Sequence, residues 1–257
     1  MSTDPANAIP AATLVIFRRP DPARAAEILM VVRSRQLAFA GGMAVFPGGR
    51  VDPGDREMAA YHADAMTVDE AAHRIAAIRE TIEETGLVVG MHQRVGADQA
   101  AQIRAQLVAD GVLAPVLERF SLTLDLGSLI PYARWWPKGM KHTRIFDTRF
   151  YLSDLGTGAV DVAVDTTENT RLFWTSAAEA LRRADRGEID VIFPTRRNLE
   201  RLAQFESFEG ARKQAETVPI RTISPTIEQR DGRPVLSIPD DLGYPVTFEE
   251  LDSARRG

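Results

Sequence analysis

The chain contains no cysteine. Disulfides, thiolate metal sites and a cysteine nucleophile are thereby excluded. Histidine is scarce: His62, His73, His92 and His142 are scattered without ligand spacing, and none is assigned a role. Long apolar runs are missing as well. The longest, such as Ile28-Leu29-Met30-Val31-Val32, are far too short to span a bilayer. No basic residue precedes Asp4, so no signal peptide is expected, and Ala254-Arg255-Arg256-Gly257 matches no peroxisomal address. There is no excess of positive charge. The net charge of −5 argues against a nucleic-acid surface. No Gly-Lys-Ser/Thr follows Gly41-Gly42 or Gly48-Gly49, so neither pair opens a P-loop. The expectation is a soluble, cytoplasmic protein with no membrane partner.

What remains is ordinary globular composition: 257 residues, 44% hydrophobic and 26% charged. Residues 1–10 are small, polar and Pro-containing and are expected to be disordered. Residues 11–257 are read as one domain. Strands are expected at Thr13 to Phe17, Glu27 to Val32, Leu122 to Ile130 and Arg144 to Leu152, with a further approach at Val88 to Gly90. Asp98 to Arg119 is Ala-rich and broken by Asp110-Gly111 and Pro115. It reads as a helical insertion of two short helices, at about 98–120. Ser176 to Arg186 and Thr195 to Phe208 read as amphipathic helices. Strands alternating with helices give an α/β class.

The chemistry concentrates in two segments. One is Pro47-Gly48-Gly49. The other is Arg79-Glu80-Thr81-Ile82-Glu83-Glu84-Thr85-Gly86-Leu87. On a helix, Glu80, Glu83 and Glu84 fall within roughly 100° of arc. Three anions on one face repel each other and destabilise the helix by themselves. A divalent cation removes that repulsion, and hard carboxylate oxygens suit Mg2+ or Mn2+. Ala71, Ile75, Ile78 and Ile82 lie on the opposite side and face a core. Thr67 as N-cap with Glu70 reaching back, and Gly86 just past the end, bound a helix at about 68–85. The bland alternative for Glu83-Glu84 is a solvated helix face. For Asp55, after Pro53-Gly54, it is a turn residue. Trp135 and Trp136 are read as packing in preference to stacking on a base.

These residues resemble the Nudix box, G-x5-E-x7-R-E-U-x-E-E-x-G-U with U apolar. Gly49 opens it, Asp55 stands where the family has Glu, and Arg79, Glu80, Glu83, Glu84, Gly86 and Leu87 match the second half. Thr81 occupies a usually apolar position. The spacer from Arg56 to Ile78 is 23 residues where the family has 7. Pro131 to Pro137, Arg144 to Phe150, Leu172-Phe173-Trp174 and Phe193-Pro194-Thr195 are similar to the coenzyme A diphosphatase branch, which carries an interrupted box. A coenzyme A-associated pattern before the glycines is matched at Arg33, Ser34, Gly42, Phe46, Pro47, Gly48 and Gly49. Ala38 replaces its second arginine and Val31 its threonine.

The resemblance implies an α/β/α sandwich with a mixed central sheet and a helical insertion. It implies a metal-dependent diphosphatase using Mg2+ or Mn2+. Glu80, Glu83, Glu84 and the Gly49 carbonyl would hold the cation, and Arg79 would orient a glutamate. Glu168, and Asp55 if it substitutes for Glu, are additional candidates, and Arg33, Gly48 and Gly49 are candidates for substrate contact. Coenzyme A or an acyl derivative leads the substrates. A nucleotide sugar, a dinucleotide, or a low-activity binding module are the alternatives. The general base, the number of ions and the oligomeric state, a homodimer included, stay open.

Overall fold

In a computed structural model of the chain, residues 8–34, 40–138, 145–155 and 169–254 are described. They build an eight-stranded mixed sheet in the order β3 (Ala44–Val45), β2 (Glu27–Arg33), β1 (Ile9–Arg18), β6 (Phe146–Asp154), β5 (Ile130–Trp135) and β8 (Thr222–Ile223). Off this path, β4 (Gly48–Arg50) pairs with β1 and β7 (Asn169–Thr175) with β2. The β1–β6 and β5–β8 pairs are parallel, and the other pairs in this sheet are antiparallel.

The apolar run of β1 is buried on both faces. Ala12, Leu14 and Ile16 enter one core, Val15 and Phe17 the other. A strand covered on both sides reads as continuous hydrophobicity, with no polar alternation. The first core lies under α1 (Pro53–His62), α2 (Val68–Thr85), α3 (Ala97–Asp110) and α4 (Leu113–Phe120). The second lies under α5 (Ala177–Asp185), α6 (Phe193–Leu202) and α7 (Phe208–Thr217). The tail adds a small antiparallel sheet of β9 (Thr226–Arg230), β10 (Arg233–Ser237) and β11 (Phe248–Glu250), followed by α8 (Leu251–Ala254). Leu236, Ile238, Leu242 and Tyr244 carry this tail into the second core. The α/β/α sandwich is the expected one, and among the described residues no helix is long and apolar enough to cross a membrane.

Helix α2 has the bounds the sequence suggests. Thr67 accepts the Glu70 N–H, and Gly86 takes a left-handed conformation while its N–H reaches Ile82 O. Its buried stripe is the expected Ala71, Ile75, Ile78 and Ile82, all at 0% exposure. The Glu70 carboxylate differs from expectation. Instead of closing a capping box it is drawn to Arg74 Nε at 2.9 Å and Arg149 Nη1 at 2.6 Å, because charged partners outcompete a backbone N–H.

Four other expectations are corrected. Ile9 and Pro10 are not a loose terminus; they start β1 because β6 offers them a parallel partner. Val88 to Gly90 forms no strand; Met91 makes only an isolated bridge to Leu124. The segment after Leu122 gives that bridge and then a 3-10 turn at Leu126–Ser128, closed by Asp125 accepting the Ser128 N–H. The strand begins only at Ile130. The long helix expected to reach Phe208 stops at Leu202, and a separate α7 starts at Phe208 on a Ser207 cap.

Candidate active site

Strand β4 places the paired glycines directly beside β1, with Gly49 opposite Ala12 and Gly48 opposite Thr13. Gly48 has φ +153°, and a Cβ there would lie 2.3 Å from Ala12 O and 2.7 Å from Thr13 Cα. Only glycine fits this backbone approach. At Gly49 the obstruction is of another kind. A Cβ would sit 2.2–2.5 Å from the carboxylate atoms of Glu80. The last two turns of α2 therefore press Glu80 against strand β4. The Gly48 N–H donates to Glu84 Oε2 at 3.0 Å, tying the helix to the glycines directly.

Arg79 organises the acids. Its Nε donates to Asp55 Oδ1 and its Nη2 to Asp55 Oδ2, both at 3.0 Å. Nη1 donates to Glu83 Oε2 at 2.9 Å and lies 3.2 Å from Glu80 Oε1. Nη2 also reaches Arg50 O at 2.9 Å. A planar guanidinium with five fixed donors is suited to such a hub. Burial opposes its charge. The bond to Asp55 and the charges of Glu80, Asp55 and Glu83 override that and hold it more firmly protonated than usual.

Asp55 is thus no exposed turn residue. It is 2% exposed, sits in the first turn of α1, accepts the Asp52 N–H at 2.8 Å and gives both oxygens to Arg79. The 23-residue spacer supplies the body of α1 and the start of α2. Asp55→Asn is expected to cost about 2 kcal/mol, since an amide cannot accept both charge-assisted bonds from Arg79. Urea denaturation of the full chain measures it, and a loss under ~1 kcal/mol would count against the pair.

The charge at this place does not balance. Asp55, Glu80 and Glu83 surround one buried guanidinium, and Glu84 follows Glu83 with its carboxylate on the Gly48 N–H. Burial pushes Glu80 up to about 8; Arg79 opposes this, and the charges of Glu84 and Glu83 add to it. Burial also raises Glu83, against the pull of Arg79. A half-buried acid that resists ionising beside two others is what a dication would relieve. The donor set is oxygen only, which suits Mg2+ or Mn2+. Among the described residues no three His, Asp or Glu side chains already converge in a cation-holding geometry. Glu80 and Glu83 both face Arg79 Nη1 and Glu84 faces the Gly48 N–H, so the three acids share a helix face but are drawn to two different groups. Thr81, at the usually apolar position, is fully buried, and its hydroxyl makes no hydrogen bond among the described residues.

The other candidates divide clearly. Arg33 lies at the end of β2, where its N–H meets Met43 O and its C=O accepts the Gly42 N–H, both at 3.0 Å. Its Nε is buried without a partner among the described residues. Ala38, Arg144 and Glu168 lie outside the described residues. Arg134 pairs with Asp147 through bonds of 2.8 and 2.5 Å, and Arg149 pairs with Asp69 and Glu70, so both guanidiniums are engaged by carboxylates. Trp135 is packing, as expected, edge-on to Phe193 and Tyr244 with Nε1 donating to Tyr244 Oη. Sequence reasoning missed Arg104 of α3, whose Nε donates to Glu83 O at 2.9 Å. No local pattern announces it, because the contact joins segments 21 residues apart.

A mixed sheet between helices, with an acid-bearing helix locked against paired glycines, is similar to the architecture of solved Nudix hydrolases. The solved structure of a NUDIX hydrolase from Alicyclobacillus acidocaldarius superposes with a TM-score of 0.67 at 29% identity, covering 80% of this chain and 96% of that one. Among curated proteins, acyl-coenzyme A diphosphatase NUDT19 of Gallus gallus is 27% identical over 73% of this chain. The chain spans 64% of the length of that relative. No protein-family model matches the chain.

Proposed function

We propose that the chain hydrolyses the phosphoanhydride of a nucleoside diphosphate-linked compound, with coenzyme A or an acyl-coenzyme A as the leading substrate. The observation that carries this reading is the acid cluster pressed against Gly48 and Gly49, where Glu80 is pushed up to about 8. Glu80, Glu83, Glu84 and the Gly49 carbonyl are the groups that would hold a divalent cation. When bound, such an ion supplies neutralisation of diphosphate charge and activation of water. Arg79, itself held by Asp55, fixes the rotamers of Glu80 and Glu83. Glycine at position 49 lets the Glu80 carboxylate approach the backbone where a side chain would obstruct it. Diphosphate cleavage needs chiefly positioning and charge stabilisation, and this is what such a rigid acid-lined turn offers.

The coenzyme A assignment rests on the pattern from Arg33 to Gly49 and on the name of the curated relative. The buried, unpartnered Nε of Arg33 is consistent with an anion-facing guanidinium there. The missing second arginine at Ala38 favours nucleotide sugars or dinucleotides as the second reading. A diphosphate panel, incubated with Mg2+ or Mn2+ and resolved by chromatography, discriminates between them. Adenosine 3′,5′-bisphosphate released from coenzyme A supports the first; turnover confined to other diphosphates supports the second. No turnover of any member at any cation concentration would defeat both.

A further inference from the structure

Helix α2 places its acids at the wrong end. Glu80, Glu83 and Glu84 fall in its last two turns, where the helix dipole is negative and cations are favoured. The last turn contains no basic residue of its own. The final carbonyls must also find partners from outside the helix. Gly86 N–H takes Ile82 O, and the Thr85 hydroxyl turns back to Thr81 O. The Glu83 carbonyl is met by Arg104 Nε of α3 at 2.9 Å.

We infer that Arg104 is a positioning residue, and that through it the helical insertion forms part of the catalytic apparatus. This deepens the hydrolase reading and rests on it. Arg104 brings to the end of α2 the positive charge that α2 lacks. It braces the main chain of Glu83, the residue that Arg79 grips through its side chain at 2.9 Å. Glu83 is thus held from both sides by guanidinium groups from different helices. The anchorage of α3 is firm. Ile103 and Leu107 flank Arg104 in sequence and are fully buried in the core beneath α2. Arg119 of α4 bonds Gln106 of α3, which in turn reaches Asp110 at 2.7 Å, so the two insertion helices are linked to each other.

The test uses the full chain with Arg104→Ala, Arg104→Lys and, as control, Gln106→Ala, which loosens the α3–α4 link without touching α2. Arg104→Ala is expected to weaken Mn2+ binding about fivefold by calorimetry and to lower kcat about tenfold, leaving KM within twofold. Hydrogen exchange in the last turn of α2 should quicken. Arg104→Lys, which still offers a cationic donor, should recover at least half of the lost affinity. The idea is overturned if Arg104→Ala leaves Mn2+ affinity and exchange unchanged, or if Gln106→Ala reproduces its effects. Mn2+ binding and exchange are read without turnover. Failure of the hydrolase reading would instead appear as an inactive wild-type chain.

Discussion

Glu80→Gln is expected to abolish hydrolysis and to stabilise the cation-free protein at high pH. In the folded chain the Glu80 carboxyl titrates near 8, against 4.5 for the unperturbed group. The neutral form favours the fold. Its contribution is complete below the unfolded value, falls as pH rises from about 4.5, and is lost once pH passes about 8. Glutamine keeps the shape and never ionises. At pH 9 and without divalent ions, the variant should exceed wild type by on the order of 2 kcal/mol, or roughly 4–8 °C in Tm. At pH 4 the two should melt together. Adding Mn2+ should raise the wild type and leave the variant nearly unmoved. Hydrolysis by the variant should drop at least ~1,000-fold, the usual trade between stability and an acid-crowded active site. A variant that melts below wild type at pH 9 in chelator would show that Glu80 is not held against its ionisation. Thermal scans at several pH values, with and without chelator, give the answer.

The two neighbouring glycines should fail in different ways. At Gly48 an added Cβ meets main-chain atoms of β1, 2.3 Å from Ala12 O, with φ at +153°. Main chain within a sheet cannot step aside. Gly48→Ala is therefore expected to cost more than about 3 kcal/mol and to give poor soluble yield. At Gly49 the added Cβ meets only the end of Glu80, at 2.2–2.5 Å. A flexible side chain can swing away, and an acid expelled from a crowded place relieves repulsion. Gly49→Ala should therefore stay within about 1 kcal/mol of wild type while kcat/KM falls roughly 100-fold or more. Denaturant unfolding and steady-state kinetics on both variants separate the cases. If Gly49→Ala unfolds as readily as Gly48→Ala, or retains full activity, the assigned contact of Glu80 with Gly49 is wrong.

Local features were legible from sequence wherever short-range physics decides them. The ends of α2 follow from Thr67 and Gly86, its buried stripe from Ala71, Ile75, Ile78 and Ile82, and the two short helices α3 and α4 from an Ala-rich stretch broken at Asp110-Gly111. Features set by distant partners were not. Glu70 looked like a capping residue until Arg149 arrived from β6, 79 positions along the chain. Asp55 had a turn-like context, and its partner Arg79 lies 24 residues further on, across α1. The Leu122 to Ile130 stretch has strand composition. Asp125 nevertheless diverts it into a 3-10 turn by capturing a backbone N–H, a choice on which hydrophobic pattern is silent. Pro10 at a strand start was masked by the flexible composition around it. Its place is set by distant partners, β6 alongside and the Val51 N–H on its carbonyl at 2.9 Å. The acids of the candidate site were visible by spacing. Their separate partners, Arg79 for Glu83 and Gly48 for Glu84, became visible only in three dimensions.

The pairing of β1 with β6 has a consequence for how the molecule is made. Ile9 lies beside Phe146 and Phe17 beside Asp154, in parallel register, so β1 must wait for a strand synthesised more than a hundred residues later. Until then β1 can gather β2, β4 and α2 on a half-sheet whose other edge is bare. Sequence-distant parallel pairing makes folding slow and leaves sticky intermediates. On the ribosome, then, the glycine turn is laid down early on an unfinished platform. Yield of the folded protein should depend on chaperone supply and growth temperature more steeply than its final stability would suggest.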